Sequence, residues 1–336
     1  MKSKPMTKFA ILTLSLILVA CAGGGSEEAG CPAIDGREIN VVATTPMIGE
    51  FVSQVGGENI NLTVLMPPEA NPHTYEPAPQ DAGTIAEADL VFYTGLLYEP
   101  AALVKLLENS ACSTDILSEV GESVFPIEFK EGGHDDHDDH DDEEGHDDEE
   151  GHDDHEGHNH GAYDPHFWFD PSRVAYAAEY IESRLIQFDP ENESSYKSSA
   201  DSFVSELNDL TKQVSELIST VPSQNRKLIT THESLGYLEA KFGLEVLSTI
   251  IPSLNSANEI SPSDLAGVID VIEDNNVKVI FIESEAPSVY SETIVAETGI
   301  KPVTGLYVET LKPGQSYSEF LISNVTLITE NLQDTD

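Results

Sequence analysis

The feature that most constrains the fold is a strand–helix alternation that occurs twice, on either side of one long amphipathic helix. Short β-rich runs alternate with helical patterns over residues 39–108, the last of which predicts a helix that begins at Leu97. They do so again over residues 227–332, where Ser261, with Asp264 three residues on, is the expected N-cap of a helix. Such alternation predicts βαβ units and mostly parallel sheets. Between the two regions, residues 191–220 carry apolar residues at spacings of three and four, which predicts a single helix of about eight turns.

The two alternating regions also resemble each other. Residues 41–65 and 227–249 both read as strand, Thr-Thr turn, helix and strand. We therefore expect an α/β fold with two similar parallel-sheet lobes joined by a long rigid backbone helix, and a ligand in the cleft between the lobes. The expected divisions are a signal peptide at 1–20, a lipid-anchored tether at 21–37, an N-terminal lobe at 38–188 with an insert at 131–161, a linker helix at 189–222 and a C-terminal lobe at 223–336.

The N-terminus has the pattern of an exported protein. Lys2, Lys4 and Lys8 precede an apolar run at residues 9–20, which is shorter than the ~20 residues that a membrane span needs. The run ends in Leu-Val-Ala-Cys, which resembles the cleavage site of a lipoprotein and predicts a lipid on Cys21. A plain signal peptide or a marginal transmembrane anchor is the alternative.

Lipidation of Cys21 leaves two cysteines, Cys31 and Cys112. In an oxidising compartment a remaining pair favours a disulfide, which would attach the start of the mature chain to its interior. The alternative is two buried thiols. Neither cysteine stands in a CxxC or CxxH spacing, so we do not expect them to bind zinc.

The charge balance is strongly acidic. The chain has 61 acidic and 16 basic residues and a net charge of -45. Such a surface repels nucleic acid and attracts cations. Solubility, or adaptation to a salty medium, is the favoured explanation of the general excess of acidic residues, so acidity alone does not identify a ligand.

Eight of the eleven histidines lie in one low-complexity acidic tract, which cannot bury a core and is expected to be disordered. A solvated acidic loop is one interpretation. Histidines at spacings of two to six residues favour another, namely several weak, exchangeable metal sites that concentrate the ion locally. The histidines of this low-affinity tract are His134, His137, His140, His146, His152, His155, His158 and His160.

The three remaining histidines each stand near the predicted end of a strand or helix. His73 lies in NPHTYEP, His166 in DPHFWFDP and His232 in TTHESLGYL. A single isolated histidine is more often structural. Three at the edges of two lobes predict a metal site, because neutral imidazole is the commonest protein ligand for borderline-soft cations.

Five stretches occur in a characteristic order: PHTYEP, DPHFWFDP, THESLGYL, VIFIESEAPS and TGLYVET. In this combination the chain resembles the zinc/manganese class of solute-binding proteins of ABC transporters, from about residue 39 to the C-terminus. The resemblance implies two α/β lobes joined by a rigid helix. It also implies an extracytoplasmic, monomeric carrier that is not an enzyme. Its partners would be a membrane permease and its ATPase, and its lipid would hold it to the membrane.

The resemblance also implies the ligands. His73 and His166 come from the first lobe, and His232 comes from the second. Glu309, in GLYVET, stands at the position of the Asp in the LYxD pattern of manganese-type members. Glu283, Glu285 or a water molecule remain open as the fourth ligand instead of Glu309. Glu233 is expected to lie outside the ligand set.

Three imidazoles and one carboxylate suit tetrahedral Zn²⁺, whereas manganese and calcium prefer more oxygen. In manganese-type relatives a Glu matches His232, which also favours zinc here. We therefore expect high-affinity Zn²⁺ capture for an importer, weakening as pH falls through about 6.5. Another divalent metal, or a zinc-storing or adhesive surface lipoprotein, is the alternative. A metallohydrolase is less favoured, because no HExxH motif is present.

Overall fold

The computed structural model describes residues 31, 34, 36–68, 70–129, 163–285 and 289–333. The predicted signal peptide 1–20, the predicted lipidation site Cys21 and the His-rich insert 131–161 lie outside these residues. Within the described ranges, no helix is both long and apolar enough to cross a bilayer.

The first lobe is built on a parallel sheet covered by helices. Its strands are β1 (Ile39–Ala43), β2 (Ile60–Val64), β3 (Leu90–Tyr93) and β4 (Leu117–Glu119), and its helices are α1 (Pro46–Gly56), α2 (Pro79–Ala86) and α3 (Ala101–Ser110). The strand order is β2-β1-β3-β4, and all neighbouring strands are parallel.

Two consecutive helices lead from the first lobe to the second. They are α4 (Pro171–Phe188) and the long α5 (Glu193–Ser219). The break between them falls at Asp189-Pro190, because proline cannot donate the backbone hydrogen bond that would continue α4.

The second lobe repeats the architecture of the first. Its elements are β5 (Lys227–His232), α6 (Gly236–Phe242), β6 (Glu245–Ile251), α7 (Pro262–Asn275), β7 (Val279–Glu283), α8 (Val289–Thr298), β8 (Lys301–Leu306) and α9 (Tyr317–Gln333). The strand order β6-β5-β7-β8 matches that of the first sheet, strand for strand. The predicted α/β fold with two similar parallel-sheet lobes and a long connecting helix is confirmed.

The inner strands of both sheets are buried on both faces, since successive side chains of a strand point to opposite sides and nearly all of theirs are buried. In β7, Val279 and Phe281 belong to a core that is continuous through both lobes, whereas Ile280 and Ile282 belong to a second core within the second lobe. Helix α5 buries one stripe in the continuous core and packs against α1 of the first lobe and α9 of the second. The long helix therefore holds both lobes on one hydrophobic core.

Several local predictions are confirmed and two differ. Helix α7 begins with the expected reciprocal bonds between Ser261 and Asp264, and Cys31 and Cys112 form a disulfide. The sequence pattern did not predict β4, since three residues are too few to show a period. Helix α3 begins at Ala101 rather than at the predicted Leu97, because residues 95–97 have left-handed backbone angles that no α-helix accommodates.

Candidate metal centre

Four of the predicted site residues meet between the lobes, at the carboxyl ends of the strands. His73 lies in a short 3₁₀ turn (Pro72–Thr74) beyond β2, and His166 directly precedes another 3₁₀ turn. His232 is the last residue of β5, and Glu309 follows β8. One ligand atom from each residue lies within 4.8 Å of the other three. Ligands of open parallel sheets are expected at this edge.

Two local structures place the histidines of the first lobe. The side chain of Asn71 accepts a hydrogen bond from the backbone N–H of His73 at 2.9 Å, which shapes the turn that carries this imidazole. After His166, the turn Phe167–Phe169 is completely buried. Within it, the indole N–H of Trp168 donates to the Val308 carbonyl of the second lobe at 2.8 Å. His166 is thus anchored against the strand end that carries Glu309.

The carboxylate of Glu309 lies at the centre of the cluster. Its Oε1 is 3.0 Å from the Nε2 atoms of both His73 and His232, and its Oε2 is 3.5 Å from Nε2 of His166. In a tetrahedron with Zn–ligand bonds of about 2.0–2.1 Å, ligand atoms are roughly 3.3–3.4 Å apart. The spacing of the carboxylate from the three imidazoles is therefore close to that of a zinc coordination shell.

The opposite ring nitrogens of two histidines are held by carboxylates. His166 Nδ1 lies 2.8 Å from Asp164 Oδ1, and His232 Nδ1 lies 2.5 Å from Glu283 Oε2. An ionised carboxylate only accepts hydrogen bonds, so each Nδ1 carries a proton. In the neutral imidazole the lone pair is then on Nε2, the atom that faces the cluster. Both Nε2 atoms are buried and neither makes a well-aligned hydrogen bond, although the Glu309 carboxylate lies 3.0 Å from that of His232 and 3.5 Å from that of His166, as expected for atoms placed to bind an ion together.

Charges compensate within this buried site. Burial acts to lower the pKa of His166, but its hydrogen bond to Asp164 and the nearby Glu309 carboxylate outweigh burial and raise the pKa to about 9. Burial acts to raise the pKa of Glu309, but His73 and His232 hold it well below its ordinary value. Protons therefore occupy imidazoles of the metal-free cluster at neutral pH, and an arriving cation must displace them.

The other carboxylates considered as the fourth ligand lie outside the cluster. Glu283 sits behind His232, where its Oε1 also accepts from the Thr230 hydroxyl at 3.0 Å. Glu285 accepts from the backbone N–H groups of residues 308 and 309, at 3.2 and 3.3 Å. Glu233 accepts from the Thr249 hydroxyl at 3.0 Å. Of the four carboxylates, the structure groups only Glu309 with the three histidines.

Sequence reasoning missed two residues that support the site. Asp164 could have been found, because it stands two positions before His166 in the DPH motif. Tyr98 had no comparable signal: it comes from the loop after β3, and its hydroxyl donates to Glu309 Oε2 at 2.9 Å and to the Glu309 carbonyl at 3.2 Å. A glycine also matters here, because a Cβ on Gly236 would lie 2.7 Å from Asp164 Oδ2.

The two lobes and the buried three-histidine, one-carboxylate cluster define a two-lobed binding protein for a divalent metal. The comparison with known families agrees with this class. The model of the family "Zinc-uptake complex component A periplasmic" matches residues 41–331, and the chain belongs to this family. It is thus an extracytoplasmic solute-binding component of a metal ABC transporter, which works with a permease and an ATPase and is not an enzyme.

Curated relatives align with nearly the whole chain. The "Manganese ABC transporter substrate-binding lipoprotein PsaA" of Streptococcus anginosus is 26% identical over 98% of this chain and 99% of its own length. The "High-affinity zinc uptake system protein ZnuA" of Bacillus subtilis is 28% identical over 96% of each chain. The names of these relatives include both manganese and zinc.

Solved structures share the fold. The periplasmic zinc-binding protein TroA from Treponema pallidum superposes with a TM-score of 0.74 at 21% identity, covering 88% of this chain and 99% of its own. The Fe(III)-bound YtgA from Chlamydia trachomatis superposes with a TM-score of 0.72 at 25% identity, covering 88% and 98%. The two-lobed architecture is therefore shared with proteins whose structures are named for different metals.

Proposed function

We propose that this protein captures Zn²⁺ outside the cytoplasm and delivers it to an ABC importer, with His73, His166, His232 and Glu309 as the ligands. The observation that carries the proposal is the donor set: three imidazole Nε2 atoms and one ionised carboxylate converge in a buried site. Orienting carboxylates on two of the imidazoles already select the tautomer that binds a metal.

The donor set favours zinc over manganese. Zinc binds readily to imidazole with four ligands, whereas manganese prefers sites rich in carboxylate, carbonyl and water oxygen. Manganese is nevertheless a second candidate, because relatives such as the "Manganese-binding lipoprotein MntA" of Halalkalibacterium halodurans carry it in their names. Titrating the protein with each ion separately, and then with both in competition, decides between them. Preferential retention of Mn²⁺ would contradict the zinc assignment.

The ligand assignment is tested by Zn²⁺ titration against a chelator of known affinity. Changing His73, His166 and His232 together to Ala should abolish tight one-site binding, because a lone carboxylate cannot hold the ion. Glu233→Gln is the matched control: this carboxylate is next to His232 in sequence but contacts Thr249, so its loss should leave the tight site intact. Tight one-site binding that survived in the triple variant would refute the assignment.

The regions outside the described residues complete the proposal. We propose that a lipid on Cys21 anchors the monomeric protein to the membrane, in keeping with relatives that are named lipoproteins. The eight histidines between residues 134 and 160 would collect Zn²⁺ weakly near the tight site. Mass spectrometry of the membrane-extracted protein tests the lipid, since it would show acyl chains on an N-terminal Cys21.

Transport is distinguished from surface storage by uptake. A strain without this protein should take up ⁶⁵Zn more slowly under chelation, and the wild-type gene should restore uptake where the triple histidine variant does not. Equal uptake in all three strains would instead support the storage alternative.

A further inference from the structure

We infer that the metal enters and leaves the cluster through a cavity beside His73, with the segment Gly95–Pro100 as the wall of this route. The route presupposes the four ligands proposed above, but it concerns the path of the ion rather than its binding site. Three independent features carry it: the exposure of the ligands, the cavity and the unusual backbone of its wall.

The ligands differ in their access to solvent. The side chains of His166, His232 and Glu309 have no exposed surface, whereas 3% of the His73 side chain is exposed. Solvent therefore reaches the cluster at His73. An ion that arrives from solution meets this imidazole first, and a departing ion leaves it last.

A cavity of about 590 Å³ lies on this side of the cluster. His73, Leu97 and Tyr98 line it from the first lobe, and Asn255 lines it from the second. Leu97 is 79% exposed, so this wall reaches the surface of the protein. The cavity thus connects solvent with the one ligand that solvent touches.

The charge of the cavity suits a cation. Glu99, Glu108 and Glu119 line it together with Lys105. Burial raises the pKa of Glu99, but Glu108 and Glu119 alone outnumber the one ammonium group and make the potential of the cavity negative, which raises the local concentration of a divalent cation and repels anions. The cavity can therefore guide a metal ion towards His73, which it could not do for an anionic solute.

The wall has a backbone that is uncommon for its residues. Gly95, Leu96 and Leu97 have φ angles of 76°, 53° and 63°, a left-handed conformation that leucine rarely adopts. Two carboxylates hold it, one buried and one half-buried: Glu99 Oε2 accepts from the Gly95 N–H, and Glu119 Oε1 accepts from the Leu96 N–H, both at 2.9 Å. Strained backbone of this kind concentrates at functional sites.

The same wall is connected to the ligands. Tyr98 directly follows the left-handed residues, and its ring packs edge-on against His73 with centroids 5.0 Å apart. Its hydroxyl reaches Glu309 in the second lobe. A displacement of the wall would therefore move a side chain that contacts ligands from both lobes, and a bulky group at its surface would obstruct the path to His73.

The route is tested by a removable plug at Leu97. Leu97→Cys in a Cys21→Ser background provides one free thiol, because Cys31 and Cys112 are joined in a disulfide. A bulky methanethiosulfonate reagent is attached to this thiol and later removed with a mild reductant. The chain has one tryptophan, Trp168, whose ring is 5.4 Å from that of His166. Its fluorescence in a stopped-flow instrument therefore reports Zn²⁺ arrival and, with excess chelator, Zn²⁺ departure at the tight site.

The plugged protein should bind and release Zn²⁺ about tenfold more slowly, with an unchanged Kd, because one obstructed path slows both directions equally. Removing the plug should restore both rates. Tyr176→Cys carrying the same reagent is the matched control, since Tyr176 is 43% exposed and lines a different cavity. Unchanged rates in the plugged protein would overturn the route and indicate exchange by separation of the lobes. A changed Kd would also overturn it, because the plug would then act on the site itself.

Failure of the route and failure of the proposed ligands give different results. If the unplugged Leu97→Cys protein binds Zn²⁺ tightly and the triple histidine variant does not, the ligand assignment is supported. The effect of the plug on the binding and release rates then tests the route by itself. If the triple variant still binds tightly, the ligand assignment fails, and the inferred route to His73 falls with it.

Discussion

Replacing Glu283 by Gln tests how the protein prepares His232 to bind a metal. Glu283 Oε2 accepts the Nδ1 proton of His232, while Oε1 accepts from Thr230 and from the His232 backbone N–H at 3.1 Å. Gln has nearly the same shape and can keep the Oε1 bonds. Its amide N–H₂ then faces the Nδ1–H group, which brings two donors together. Flipping the amide would restore the bond to Nδ1 only by turning the amide N–H₂ towards the His232 backbone N–H, which can only donate.

The conflict is relieved if the His232 proton moves from Nδ1 to Nε2. Nε2, the atom that faces the cluster, then has no lone pair for the metal. Loss of such an orienting partner lowers metal affinity 10–100-fold, or about 1.4–2.7 kcal/mol. We expect this loss for Glu283→Gln at pH 7 in a chelator competition read by Trp168 fluorescence. Glu233→Gln should bind like the wild type. An unchanged affinity for Glu283→Gln would show that the bond to Nδ1 does not prepare the ligand.

Three further predictions concern pH, stability and the insert. The pKa of His166 is raised to about 9 and that of His232 well above its ordinary value, in both cases because neighbouring carboxylates outweigh burial. Zn²⁺ affinity should therefore keep rising from pH 7 to about 9, with proton release measurable by calorimetry in two buffers of different ionisation enthalpy. The stability of the metal-free protein should change with pH in the opposite direction to Zn²⁺ affinity. The charged imidazoles stabilise the fold fully below about pH 6.5, and this stabilisation is lost as pH rises through about 9. A flat affinity over this range would contradict imidazole protonation. Zn²⁺ at about 100 times its Kd should raise the free energy of unfolding by about 2.7 kcal/mol in thermal melts, and the triple histidine variant should show no increase. Deleting residues 134–160 should preserve the tight site in titrations but slow growth under chelation, whereas unchanged growth would contradict the scavenging role.

The pH prediction shows where reasoning from sequence alone was incomplete. A free imidazole titrates near 6.5, so the pattern of three histidines predicted weakening through that range. In the folded protein, Asp164, Glu283 and Glu309 surround the imidazoles and move the transition upward. Asp164 is a sequence neighbour of His166, but Glu283 and Glu309 come from distant parts of the chain, and only folding brings Glu283 to His232 and Glu309 to all three imidazoles.

The fold was predictable because its information is local. Apolar residues at spacings of three and four define α5, and β-rich runs punctuated by helical patterns define both sheets. The element that escaped, β4, is three residues long. The late start of α3 also escaped, since hydrogen bonds to Glu99 and Glu119 impose the left-handed turn before it.

The sequence by itself determined the two lobes, the long helix and the three histidines, which stand apart from the tract near predicted strand or helix ends. Only the tertiary structure distinguishes the positions of the carboxylates: it places Glu309 between the imidazoles, and it places Glu283 behind His232 as the acceptor of a proton. The physical reason is that periodicity reports which face of an element is buried, whereas the approach of one side chain to another depends on how whole elements pack. Tyr98, which joins the wall of the proposed route to Glu309, is another residue that only this packing reveals.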